Sequence, residues 1–161
     1  MTEGDVLQKR LLFLSNIVEK ELRHLTTTDE RLFSKPLTLE KILQLEIEVE
    51  LSEKVETFAS RFARLQDTVG AKLLPQLMEL LQEKRGVMID NLDWAEKQGW
   101  IENSDHWMEI RELRNKMVHE YIESEQEMLD ALNKAHHYIP TLKSTVEQMV
   151  NEIKIRVGLV E

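Results

Sequence analysis

Apolar side chains recur at steps of three and four along most of this chain, a period that commits it to helices packed side against side. From Asp5 to about Leu25 the series is Val6, Leu11, Leu14, Ile17, Val18, Leu22 and Leu25. A second series runs Leu51, Val55, Phe58, Phe62, Leu65 and Val69. A third holds Met128, Leu129, Leu132, Ala135, Ile139, Leu142, Val146, Met149, Val150 and Ile153. With only 5 glycines and 3 prolines, the chain has too few turn-formers to link many short strands.

Breaks in the pattern divide it. Thr26-Thr27-Thr28-Asp29 through Lys35-Pro36 holds cap-type residues and an X-Pro pair, and reads as a connection. A helix can start at Thr38, with Lys41 in place of the Glu of a capping box. Leu43 to Leu51 alternates apolar and polar residues, which taken alone is a half-buried strand. The pattern runs on into the second helical series with no turn residue between, so the segment is read as helix. Gly70 ends or bends that helix, and Ala71 to Glu83 resumes an apolar pattern despite Pro75. A short helix from Ile89 to Gln98 would close on Gly99 as a left-handed cap. Asn103-Ser104-Asp105 offers N-caps for a helix carrying Trp107, Ile110, Leu113 and Met117. After Ser124 comes the last long helix, kinked at Pro140. The expectation is one all-α domain over residues 1–161, a bundle of about five helices.

Several classes of function drop out. Without cysteine there are no disulfides, zinc-thiolate sites, iron–sulfur clusters or thiol nucleophiles. Leu11-Leu12-Phe13-Leu14 is the longest unbroken apolar run, far short of a membrane span. The N-terminus lacks the marks of a secretory signal, so a cytoplasmic location is expected. A formal charge of -9 argues against broad nonspecific nucleic-acid binding, while leaving room for a local basic groove. His119-Glu120-Tyr121-Ile122-Glu123 lacks the second histidine of a zinc helix, and the adjacent His136-His137 point too far apart to chelate. Neither a metal site nor a cofactor is expected.

Residues 111 to 121 read Arg-Glu-Leu-Arg-Asn-Lys-Met-Val-His-Glu-Tyr, in which Arg114, His119 and Tyr121 form R-x4-H-x-Y. Upstream stand Ser60-Arg61-Phe62-Ala63-Arg64-Leu65-Gln66-Asp67, then Asp90-Asn91-Leu92 and Trp107. This set, over about residues 50 to 123, resembles the HEPN superfamily, in particular the HepT-like toxins that pair with a small nucleotidyltransferase antitoxin. The resemblance implies an all-α homodimer whose two R-x4-H motifs face each other across a cleft and cut RNA without a metal ion.

Such chemistry needs these residue types. Attack of a ribose 2′-OH on the adjacent phosphate requires a proton acceptor titrating near neutrality, the role of His119 as general base or acid. A planar guanidinium holds two phosphoryl oxygens as negative charge gathers, which assigns Arg114 to electrostatic stabilisation. Asn115 would orient either partner. For Tyr121 the resemblance implies a hydroxyl to which the partner enzyme transfers AMP, masking the site with bulk and negative charge. Its position in line with Ile110 and Met117 equally fits a core tyrosine with a wet hydroxyl. Arg114 and His119 lie about 140° apart on an ideal helix, so a bend near the helix end or two protomers would have to bring them together.

Arg61, Arg64 and Asp67 share a helix face at steps of three. They form either an intrahelical Arg64–Asp67 ion pair or part of the wall of an RNA cleft. Trp94, Trp100 and Trp107 are read as packing residues rather than base-stacking platforms. The rival to the nuclease is a noncatalytic, substrate-binding subunit of a nucleotidyltransferase with the same fold. A helical scaffold with no nucleotide link is the third reading.

Overall fold

The computed structural model describes residues 2–119 and 123–158, with His119 described by its backbone alone. All regular structure among them is helical: α1 (Glu3–Leu32), α2 (Leu39–Leu43), α3 (Val49–Asp67), α4 (Leu74–Leu80), α5 (Met88–Lys97), α6 (Ser104–His119), α7 (Glu125–His137) and α8 (Ile139–Arg156). A π-helical segment, Thr68–Leu73, joins α3 to α4 without interruption. The bundle thus has six rods and the short α2, where about five helices were expected. No helix among the described residues is long and apolar enough to cross a membrane.

Helix α1 begins with a reciprocal cap: Asp5 N donates to Thr2 Oγ1 (3.1 Å) and Thr2 N donates to Asp5 Oδ2 (3.2 Å). It runs on through Thr26 to Leu32, so the connection expected over Thr26–Pro36 shrinks to its last residues. The reason lies in the hydroxyls. Thr27 and Thr28 turn theirs back onto the helix, donating to Arg23 O (3.0 Å) and His24 O (3.1 Å) instead of capping. Leu25, Thr28, Asp29 and Leu32 are buried on the same face, and that burial carries the helix forward.

The alternating stretch Leu43–Leu51 is neither strand nor continuous helix. Thr38 caps α2 through Lys41 N, and after Leu43 the chain turns, with Gln44 O accepting from Ile47 N (3.0 Å) and Glu48 N (2.8 Å). Leu43, Ile47 and Val49 stand exposed, so no common buried face holds one regular element across the segment. Further along, the helix does not end at Gly70 but continues through it as a widened π turn. Pro75 falls in the first turn of α4, directly after that widening. Pro140 likewise opens a new helix, so the expected last helix is two, α7 and α8, parted at Tyr138.

Helix α1 packs along α3, α4 and α8; α6 lies against α3, α5 and α7; and α2 covers α7. Phe58, Phe62, Leu65, Trp107, Ile110, Leu132 and Leu142 fill the shared core. Trp107 and Trp100 are buried, and Trp94 meets Trp100 edge to face with ring centroids 5.0 Å apart, as the packing reading expected.

Candidate functional site

Three contacts set the register of α6, the helix that carries the motif. Asn103 Oδ1 accepts from Asp105 N (2.8 Å) and His106 N (3.1 Å), capping its start. Ser104 ties it to α5, its N donating to Glu96 Oε1 (2.7 Å) and its hydroxyl to Asp93 Oδ1 (2.8 Å). Trp107 then packs directly over Gly70, where an added Cβ would stand 3.2 Å from the indole Nε1.

Two turns on from Trp107, Arg114 meets Asp67 at the end of α3. Nε donates to Oδ1 (3.0 Å) and Nη2 to Oδ2 (2.8 Å), a two-point pairing in which a planar guanidinium matches a carboxylate. Nη1 donates to Asn115 Oδ1 at 3.2 Å. Asp67 therefore pairs with Arg114, and the intrahelical Arg64–Asp67 bridge does not form. Helix α6 stays α-helical through His119, so positions 114 and 119 keep the separation of about 140° that an α-helix gives them. Tyr121 lies outside the described residues.

Beside the Asp67–Arg114 pair opens a groove of about 630 Å³ between α3, the last turns of α6 and the first turns of α7. Its α3 wall is mostly small or polar: Ser52, Glu56, Ala59, Ser60, Ala63 and Arg64, with Val55 among them. Met117, Val118, Met128 and Leu132 form the other wall. Ser52, Ala59, Ser60 and Ala63 are too short to fill the space between α3 and the facing helices, which leaves it open. That stripe is the signal the sequence held and the reading of Arg61, Arg64 and Asp67 passed over.

The two arginines of α3 part company. Arg64 lines the groove, exposed. Arg61 turns to α1, where its Nη1 donates to His24 O (3.1 Å) and Thr28 Oγ1 (2.5 Å). Behind Arg64, Thr68 donates to Glu21 Oε1 (2.9 Å). Burial lifts the Glu21 carboxyl above its ordinary value, against the opposing pull of the Thr68 hydroxyl and the Arg64 charge.

Two further polar contacts had no signature in the sequence. Asp29 of α1 faces His136 of α7, with Oδ1 2.6 Å from Nδ1, and the imidazole stacks on Phe33 at 4.0 Å. Burial raises the Asp29 carboxyl, while the bond to His136 pulls the other way. Tyr138 donates to Glu109 Oε2 at 2.6 Å, and burial together with that carboxylate pushes its phenol up to about 12. Both contacts lie outside the groove lining and serve to join helices.

In comparisons with family models, curated proteins and solved structures, nothing matches the chain.

Proposed function

We propose that this protein is a metal-independent endoribonuclease of the HEPN toxin type. The observation that carries the reading is the fixed Asp67–Arg114 pair at the edge of an open groove, five residues ahead of His119 on one unbroken helix. Asp67 holds the guanidinium plane through Nε and Nη2, so Arg114 is oriented before any substrate arrives. Asn115 steadies the outer edge of the same group.

In the reaction, His119 takes the proton of a ribose 2′-OH, and the 2′-oxygen attacks the adjacent phosphorus. The P–O5′ bond breaks as a protonated imidazole gives its proton to the leaving 5′-oxygen, returning His119 to its neutral form, and the products carry a 2′,3′-cyclic phosphate and a 5′-hydroxyl. Arg114 meets the charge that builds on the phosphoryl oxygens. Because positions 114 and 119 lie about 140° apart around an ideal helix axis, the complete site draws on two copies of the chain across a homodimer cleft. Control comes from a small nucleotidyltransferase antitoxin that binds the toxin and adenylylates Tyr121, in the cytoplasm.

A second reading is favoured by the apolar wall of the groove. Met117, Val118, Met128 and Leu132 suit a docked protein side chain, as a noncatalytic subunit of a nucleotidyltransferase would need. The two part on one experiment: purified protein is incubated with a broad RNA panel in excess chelator, wild type beside Arg114→Ala, and product ends are analysed. Cyclic-phosphate ends from the wild type, reduced at least 100-fold in the variant, support the nuclease. Intact RNA throughout supports the docking subunit.

A further inference from the structure

The groove is poor in positive charge for an RNA site. Arg64 and Arg114 are set against Asp67 and Glu56, in a chain with 30 acidic residues and 21 basic ones. The missing charge is gathered elsewhere. Around the far end of α3 lies a second cavity of about 300 Å³, lined by Arg31, Lys35, Lys41 and Lys54 with Glu48 as the one lining carboxylate. Leu32 and Leu37, both buried, contribute its apolar lining.

These cations are not consumed by the fold. Arg31 and Lys35 are exposed and have no ion-pair partner among the described residues. Lys41 Nζ donates to a backbone carbonyl, Pro36 O, at 2.9 Å. Lys54 reaches only the largely exposed Glu50, at 3.7 Å. Four like charges around one cavity repel each other, and one lining carboxylate and one weak ion pair offset them only in part.

The cavity and the groove share their walls. Leu51 and Lys54 face the cavity while Ser52 and Val55 face the groove; in the preceding turn, Gln44 lines the cavity and Leu45 the groove. From Ser52 to Asp67, α3 rises about 22 Å, so the cations stand at the end of the groove remote from Arg114. We propose that the Arg31–Lys35–Lys41–Lys54 cavity is a phosphate-binding subsite that anchors single-stranded RNA several nucleotides away from the bond that is cut. This rests on the ribonuclease reading of the groove. The groove takes bases and sugars against its apolar wall of Met117, Val118, Met128 and Leu132, and the basic cavity takes the backbone that emerges from it.

The test uses a fluorescent single-stranded oligoribonucleotide in chelator, bound by His119→Ala protein so that it stays intact, across a salt series. The same measurement is made with Arg31→Gln and Lys35→Gln added; both side chains are exposed, and thermal melting checks that the fold survives. The expected result is at least tenfold weaker binding at low salt, with the slope of log affinity against log salt shallower by about 1.4 for two lost phosphate contacts. In the active protein, the same two substitutions raise KM and leave kcat within about twofold. Unchanged affinity and slope in a protein that does bind RNA would overturn the subsite and leave the nuclease reading standing. No RNA binding by either protein, with capture of a polyglutamate peptide by the cavity instead, would overturn both.

Discussion

Asp67 and Arg114, 47 residues apart, meet through two parallel hydrogen bonds of 3.0 and 2.8 Å that clamp the end of α3 to the middle of α6. The pair fixes the motif helix at the edge of the groove, so its removal should register in both stability and activity. Asp67→Ala is expected to lower stability by on the order of 1 kcal/mol, solvent access on the Asp67 side keeping the loss modest. Arg114→Lys keeps the charge and loses the two-point fit. Denaturant unfolding of the single and double variants should give a positive coupling energy between the two positions.

Gly70 is required by close approach rather than by backbone angle. Gly70→Ala would place a methyl 3.2 Å from Trp107 Nε1 and 3.4 Å from Gln66 Nε2, inside a π-helical turn with little room to give. A loss of about 1–3 kcal/mol is expected, with a shift in tryptophan emission as the indole moves.

The two arginines of α3 should separate cleanly. Arg64→Ala, at the groove wall, is expected to weaken RNA binding and flatten its salt dependence while leaving the melting temperature nearly unchanged. Arg61→Ala, which severs the bonds to His24 and Thr28 on α1, is expected to lower the melting temperature and leave the salt slope intact. A changed slope for Arg61→Ala would put that side chain back in the RNA path.

The buried carboxyl of Asp29 gives a pH dependence with a definite sign. Its folded pKa is raised, chiefly by burial, so it contributes stability below the ordinary carboxylate range that is lost as pH rises through the raised value. Asp29→Asn fixes the neutral form. Its unfolding free energy should therefore fall less than that of the wild type over the same rise in pH. Glu21→Gln should act in the same direction, since burial raises that group as well.

Helical periodicity made the architecture legible in the sequence, and local caps made several boundaries legible too. Gly99 takes the left-handed backbone expected of it, with φ at 80°, and Asn103 caps α6. What was not legible depended on tertiary partners. Thr26–Asp29 reads as a cap cluster until burial against the core and the Arg61 contact decide for helix. The alternation at Leu43–Leu51 carried no information on burial, and Ile47 and Val49 are in fact exposed. Local spacing offered Arg64 as the partner of Asp67, but the rotation of α6 over Gly70 delivered Arg114 instead. The small-residue stripe on α3 was visible as Ser52, Ala59, Ser60 and Ala63, yet only the position of α6 and α7 opposite makes it a groove.

In the proposed reaction this helix cuts RNA, with His119 moving the proton. This is tested most directly by incubating wild type and His119→Ala with RNA in excess chelator and resolving the products on one gel. The expected result is cleavage by the wild type, undiminished by chelator and ending in 2′,3′-cyclic phosphate, and its loss in the variant. Equal cleavage by both proteins, or intact RNA from both, would contradict it.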